Sequence, residues 1–315
     1  MGGKRKGQGS KANGDRKSST HQVPPHPECA MAWRRRRFPW RRSGLPVVCG
    51  DGTPLPSMLF FAFLLLAQPA PIGPPSATQR PSLTAEGPAG WREDFDGLWR
   101  HRDESGAEKK LEQTLQQILA VDPRSFEANW RLAALYNWEA DAKETDEKAT
   151  LGKKAWEAAD KAVAANAGDV HGHYNAAVGI GLYSEGVGII TALSQGLEGK
   201  FRDRILAALR IDKDYLDGAP QVVWGRYFFK LPWPKRDVDQ ATKVLSEAVR
   251  AHPENLRAKI YLADCYADGD KVDEGTKLVQ QVLNAPPGDD PPEERRMKKK
   301  ARNWIDAHGP PNTAQ

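Results

Sequence analysis

Apolar and small side chains recur at helical spacing through the last third of the chain, in an order that occurs twice. The first copy reads Trp224-Gly225-x-x-Phe228, then Ala241-x-x-x-Leu245-x-x-Ala248, and ends at Pro253. The second reads Leu262-Ala263-x-x-Tyr266, then Gly275-x-x-x-Val279-x-x-Val282, and ends at Pro286-Pro287. Intervals of three and four residues place these side chains on one helix face, so each copy predicts two amphipathic helices. A small residue lets the two helices approach closely, and proline ends the second because it lacks a backbone donor.

The same order continues upstream with less regular spacing. The predicted ends of the second helices fall at Asp122-Pro123, Asn166-Ala167, Asp212-Lys213, His252-Pro253 and Ala285-Pro286, in steps of 44, 46, 40 and 33 residues. The second pair carries about ten extra residues at 139–148, and the third contains a glycine-rich stretch. We expect such additions to lie on one face of the stack.

This order of small and large residues, closed by proline, resembles the tetratricopeptide repeat (TPR) consensus. The resemblance implies an all-α, right-handed superhelical solenoid of about five TPR-like helix pairs at 91–307, with enlarged insertions and a charged final helix at 292–307. One repeat cannot bury its apolar face alone and must stack on its neighbours. Such a fold builds a binding surface, so we expect a scaffold and not an enzyme.

The first ninety residues differ in composition from the rest. Residues 1–57 hold 12 Lys and Arg against 3 Asp and Glu, so their charge is +9 within a total of +5, and the remaining residues carry −4. The positive charge therefore belongs to a leader that we expect to be disordered, and we expect no nucleic acid partner for the folded body.

An apolar run of ten residues at 58–67 follows the leader and precedes a Pro/Ser/Ala-rich linker at 71–90. It is too short to span a bilayer, which needs about 20 residues, and it matches the apolar part of a secretory signal within 58–70. We therefore expect translation from Met31 or Met58, export to the periplasm or cell envelope, and a mature chain that begins near Gln68 or Pro71 without a transmembrane span. N-terminal sequencing of the native chain tests this expectation.

Two other interpretations of the leader remain open. Arg34-Arg35-Arg36-Arg37-Phe38 resembles a twin-arginine export signal, although the apolar run begins twenty residues later. Arginines beside Trp33 and Trp40 would also suit a nucleic-acid-binding arm. No cysteine follows Ala67 closely, so no lipid attachment site is expected.

Sites with catalytic, metal-binding or cofactor chemistry are not expected from the motifs. His171 and His173 are two residues apart, which places them on different sides of a helix, and capping or solvent-facing roles are favoured. The acidic run 268–274 lacks the spacing of a calcium loop and falls at a predicted turn between helices. The glycines at 179, 181, 186 and 188 lack the Lys-Ser/Thr of a phosphate loop. Cys265 is predicted to be a small buried apolar residue.

Several longer segments carry a more specific resemblance. They are Ser184-Glu-Gly-Val-Gly-Ile-Ile-Thr191, Gly199-Lys-Phe-x-Asp-Arg-Ile205, Asp217-Gly-Ala-Pro-x-x-x-x-Gly225-Arg-Tyr and Leu231-Pro-Trp-Pro234. These are similar to exported bacterial proteins of the TRAP-transporter T-component type and to the eukaryotic regulator-of-microtubule-dynamics proteins. The first likeness implies a periplasmic accessory subunit that works beside a substrate-binding subunit.

Two hypotheses of function follow. The first is an exported scaffold that binds a protein or peptide partner. The second is a T-component-like subunit that binds a small organic ligand or a transporter's substrate-binding subunit, with Trp224, Arg226, Tyr227 and Trp233 as candidate ligand- or partner-binding residues. The prolines around Trp233 restrict the backbone, which predicts a rigid loop. In an alternative interpretation, Trp233 fills the gap between the third and fourth units.

Overall fold

The computed structural model describes residues 90–309, and every regular element in that range is an α-helix. In chain order the helices are α1 (Trp91–Trp99), α2 (Ala107–Val121), α3 (Phe126–Asp141), α4 (Thr145–Ala165), α5 (Val170–Val187), α6 (Ile189–Ser194), α7 (Leu197–Ile211), α8 (Tyr215–Lys230), α9 (Val238–Ala251), α10 (Leu256–Asp268), α11 (Val272–Leu283) and α12 (Pro291–His308). The predicted leader, apolar segment and linker lie outside the described residues, apart from Gly90. The sequence also predicts a disordered tail at 308–315, of which only residues 308–309 are described.

Ten of these helices form five antiparallel pairs, and α12 packs on the last pair. The pairs are α1–α2, α3–α4, α5–α7, α8–α9 and α10–α11, which confirms the predicted all-α solenoid of TPR-like units. The second helices end at Val121, Ala165, Ile211, Ala251 and Leu283, each within two residues of its predicted end.

Polar side chains fix where five of the helices begin. Each accepts a hydrogen bond from a backbone N–H of the first helical turn, which has no partner within the helix. These N-cap residues are Ser125, Asp169, Asp237, Asn255 and Asp290. They lie in the connections between pairs or, for Asp237, within a pair, and so set the register of each following helix.

Small residues mark the helix contacts, as the pattern predicts. Ala241, Ala248 and Ala263 are fully buried, and Cys265 is buried among apolar side chains. Burial raises the pKa of the Cys265 thiol to about 11, so the group is neutral. These positions confirm the predicted repeat register in the fourth and fifth units.

The second and third units approach each other closely, because α4 and α5 meet through glycine. A Cβ atom on Gly179 would lie 2.7 Å from the backbone nitrogen of Trp156, and one on Gly186 would lie 2.4 Å from that of Ala149. Both obstacles are backbone atoms and cannot rotate away. The glycines that resembled a loop in the sequence are therefore helix-packing residues of α5, apart from Gly188, which caps it.

The insertions differ from their predicted form. The extra residues of the second unit are absorbed into longer helices, since α3 continues to Asp141 and the 21-residue α4 starts at Thr145. The third unit instead gains the short helix α6, and α8 is kinked near its start, where residues 216–218 have positive φ. The acidic run at 268–274 forms the turn from α10 to α11, as expected. Within residues 90–309, no helix is long and apolar enough to cross a membrane.

Replacing Gly179 with Ala should destabilise the fold, although alanine is the better helix former. The added methyl meets backbone atoms of α4, and overpacking of this kind costs about 1–3 kcal/mol. Gly199→Ala is the matched control, because Gly199 is helical and has nothing within 4 Å of an added Cβ. It should stabilise α7 by up to about 1 kcal/mol. Urea unfolding measures the change in the free energy of unfolding for each variant. Equal changes in Gly179→Ala and Gly199→Ala would contradict the close α4–α5 contact.

Candidate functional site

A cavity of about 1330 Å³ lies on the concave side of the helix pairs. The first helices of the pairs supply most of its wall, α6 and α7 contribute one side, and the start of α12 lies across from α3. Apolar and aromatic side chains alternate with charged ones around it. The cavity is therefore formed by nearly the whole repeat domain.

Arg102, in the turn after α1, joins the first unit to the segment before α12. Its side chain is 3% exposed, and it donates to Asp290 at 2.7 Å. Its guanidinium also lies 4.4 Å from the ring centre of Trp99 and 4.1 Å from that of Trp138. Such stacking suits the planar, weakly hydrated arginine group.

Asp141, the last residue of α3, joins the second unit to α10 and α12. Its carboxylate lies 3.1 Å from Arg257, 3.0 Å from Lys300 and 3.5 Å from Arg296. Burial opposes the ionisation of Asp141, but the positive charges of Arg257 and Lys300 outweigh it and hold its pKa well below the usual range. The carboxylate is therefore a permanent anion that collects cations from two other helices.

The start of α12 makes two further polar contacts with the early helices. Arg295 donates to both oxygens of Asp103, and Arg296 donates to the Trp138 carbonyl at 2.8 Å. The opposite face of α12, with Met297 and Trp304, packs into the apolar core of α10 and α11. Helix α12 thus belongs to the last unit by apolar packing and reaches the first two units by charge.

Aromatic side chains of α3, α5 and α8 form one wall of the cavity. The His171 ring lies 4.2 Å from that of Trp130 and 4.9 Å from that of Tyr215, which in turn lies 5.3 Å from Tyr174. Burial raises the pKa values of Tyr174 and Tyr215 well above the usual tyrosine range, so both hydroxyls stay neutral. This wall offers flat apolar surface with a few hydrogen-bonding groups.

The two histidines of the sequence motif occupy different environments. His171 Nδ1 lies 2.7 Å from Asp169 Oδ1 at the start of α5 and borders the cavity. His173 is buried, and its Nε2 lies 3.0 Å from the Ala167 carbonyl oxygen in the preceding turn. The pair does not converge, in agreement with the prediction that a spacing of two separates them.

The four predicted binding residues are divided by the structure. Arg226 and Tyr227 line the cavity, whereas Trp224 and Trp233 do not. Arg226 donates to Asp264 at 2.6 Å, and Trp224 stacks on Tyr227 with ring centres 4.9 Å apart. Trp233 is 88% exposed, so the interpretation of this residue as a plug between units is wrong.

Sequence reasoning missed the charged residues that close the cavity. Arg102, Asp141, Arg257 and Arg296 look like ordinary surface charges, because their partners across the cavity are 116 to 188 residues away in the chain. A local signal does exist at another position: in units two to five, a polar side chain stands at the same place in the first half of the first helix, three residues before a large and a small residue. These are Asn129, Asn175, Gln221 and Lys259.

One group of side chains outside the aromatic wall has a spacing that a metal ion could use. Possible ligand atoms of Asp217, His252 and Glu254 all lie within 4.8 Å of one another. His252 already contacts Asp214 at 3.1 Å and Glu254 at 3.5 Å. Ordinary polar contacts at the turn between α9 and α10 therefore account for the grouping.

Trp233→Ala should leave the stability of the folded chain almost unchanged. An exposed side chain loses little burial on truncation, so the expected change is within about 0.5 kcal/mol. Trp138→Ala is the matched control: Trp138 is 8% exposed, and truncating a buried tryptophan costs about 3–5 kcal/mol. Thermal unfolding compares the two. If Trp233→Ala lowered the free energy of unfolding as much as Trp138→Ala does, the exposed position of Trp233 would be contradicted.

Comparison with known proteins places the chain in a family. The sequence profile of regulator of microtubule dynamics protein 1-3 matches residues 94–308. Among solved structures, the MamA protein aligns with a TM-score of 0.36 and 14% identity, over 72% of this chain and 98% of that one. No curated protein sequence shows significant similarity to the chain. The profile match covers more than half of the residues, and the chain therefore belongs to the regulator of microtubule dynamics protein 1-3 family.

Proposed function

We propose that the chain is a non-enzymatic scaffold that binds a segment of a protein partner in its central cavity. The carrying observation is the cavity itself, whose volume of about 1330 Å³ exceeds the roughly 300–1,000 Å³ typical of small-molecule sites. Helical repeat domains use such concave surfaces to hold extended partners.

The chemistry of the cavity wall supports binding in preference to catalysis. Arg131 contacts Asp96, Arg226 contacts Asp264, and Arg257 contacts both Asp141 and Glu293. Charges paired in this way hold helices together and are not poised to transfer protons. The aromatic faces that line the cavity between them can receive apolar side chains of a partner, as in other protein interfaces.

A small organic ligand is the second candidate. The cluster of His171, Tyr174 and Tyr215 beside Trp130 favours it, because flat aromatic surface with few polar groups is typical of ligand pockets. In this alternative the chain would serve as a T-component-like accessory subunit, with Arg226 and Tyr227 as wall residues. Native mass spectrometry of the purified protein would show a retained small molecule.

We also propose that the protein acts in the periplasm or cell envelope. Support comes only from the apolar run at 58–67 and the basic leader before it. The family name adds microtubule-associated proteins as a further class of partner, which a search for partners should include.

Ala134→Trp should reduce partner binding by filling part of the cavity. Ala134 lies on α3 in the cavity wall, and a tryptophan there would occupy space needed by the bound segment. Lys153→Trp is the matched control, since Lys153 lies on α4, its side chain is 60% exposed and it is not part of the wall. Quantitative pull-down with the full chain should show partners whose recovery falls about tenfold with Ala134→Trp, a loss of about 1.4 kcal/mol.

The control should recover the same partners as the unmodified chain. Circular dichroism must show equal helicity in both variants, so that lost binding is not lost folding. Equal recovery with both variants would place the binding surface outside the cavity and contradict the proposal.

A further inference from the structure

Seven Lys and Arg side chains line the cavity, and six of them have a carboxylate partner among the described residues. The six pairs are Arg102–Asp290, Arg131–Asp96, Arg226–Asp264, Lys230–Glu185, Arg257–Asp141 and Arg296–Asp141. The seventh cation is Lys259 on α10. Within residues 90–309 no carboxylate lies within 4.0 Å of its Nζ, and its side chain makes no hydrogen bond.

Lys259 is also the more enclosed of the two lysines that line the cavity. The residue is only 9% exposed, whereas the side chain of Lys230 is 39% exposed. Burial lowers the pKa of Lys259, and the charge of Glu254 opposes that shift. Glu254 itself lies 3.5 Å from His252. The ammonium group is therefore partly desolvated, and among the described residues it lacks the carboxylate partner that the other six cations of the wall have.

The repeat register makes this exception clearer. Asn129 and Asn175 stand at the equivalent position in the second and third units, and their amides donate to backbone carbonyls at the start of the same helix. Gln221 of the fourth unit has a buried Oε1 without a partner among the described residues, but it carries no charge. In the fifth unit Asn255, at the start of α10, already caps the helix and donates to Asp217. Lys259 has no such structural contact. Its ammonium group is left for something that enters the cavity.

We propose that Lys259 binds a carboxylate of the protein segment held in the cavity, an inference that rests on the proposed function. A buried cation without a partner costs free energy, and an anionic ligand that reaches it recovers that cost. The carboxylate is either an Asp or Glu side chain or the C-terminus of the bound segment. One free ammonium suits a single negative charge, whereas phosphate recognition favours arginine forks, and the arginines here are already paired.

Selection from a randomised octapeptide library tests the assignment. The full chain is immobilised and offered two library halves, one with free and one with amidated C-termini, at the same concentration. Retained peptides should be enriched about tenfold in Asp or Glu at one position, or in the free C-terminus, relative to the input. Comparison of the two halves distinguishes the side-chain carboxylate from the terminal one.

Lys259→Met should abolish the acidic enrichment and keep the apolar preferences of the retained peptides. Lys230→Met is the matched control, because Lys230 lines the same cavity but pairs with Glu185; it should keep the acidic enrichment. Lys259→Met should also unfold at the same or a higher temperature, since it replaces an unpaired buried charge by an apolar chain of similar length.

Four results would overturn the inference, and the first three leave the proposed function standing. Peptides retained without acidic enrichment, or enrichment that survives Lys259→Met, would remove the role of Lys259 while peptide binding stands. A marked fall in the unfolding temperature of Lys259→Met would show that the lysine is structural. Retention of no peptide by the unmodified chain would contradict both the inference and the proposed function.

Discussion

The carboxylate of Asp141 is the contact on which the closed arrangement of the domain depends. It ends α3 and draws together Arg257 of α10 with Arg296 and Lys300 of α12. Three cations held this close repel one another unless an anion lies between them. Removing one member of a fully buried set costs about 3–5 kcal/mol, and less is expected here because these side chains are only partly buried. This anion therefore contacts three cations of the last unit and α12 from the end of α3, and it is the centre of the contacts that hold the last unit near the second.

Two kinds of interaction stabilise the fold, apolar packing along the stack and charged contacts across the cavity. Along the stack, apolar side chains and close glycine or alanine contacts hold each helix to its neighbours, as at Gly179 and Ala248. Across the cavity, the ends meet through ion pairs and cation–π contacts such as those of Arg102. Apolar packing is not directional, whereas charged hydrogen bonds fix distances. The cavity therefore has a defined width that follows from its charged residues, and three cations of its wall, Arg102, Arg257 and Arg296, make these contacts across it. Lys259 makes no such contact with the described residues.

The sequence predicts the helices, which follow from local periodicity, but it does not predict contacts between residues that are far apart in the chain. Helix pairs, their ends and the small contact positions follow from spacings of three and four residues, so Ala241, Ala248 and Ala263 are placed correctly. The insertion at 139–148 has no such spacing. Its sequence is compatible with a loop or with longer helices, and the packing of α4 against α5 favours the helices. Asp141 and Arg257 lie 116 residues apart, and no local pattern links them. Trp233 was misjudged in one interpretation because tryptophan is usually buried, whereas here the proline-flanked loop presents it to solvent.

The most direct test is a distance measured between the turn after α1 and α12. Spin labels at Glu104 and Lys299, both exposed, report on the closure by double electron–electron resonance, with Cys29 and Cys49 replaced by serine and the buried Cys265 left in place. The unmodified chain should give one narrow distance distribution, and Asp141→Asn should give a longer and broader one. Asp160→Asn, which breaks the ion pair of Asp160 with Arg204 between α4 and α7, should leave the distribution narrow. A distribution unchanged by Asp141→Asn would contradict the central role of this carboxylate.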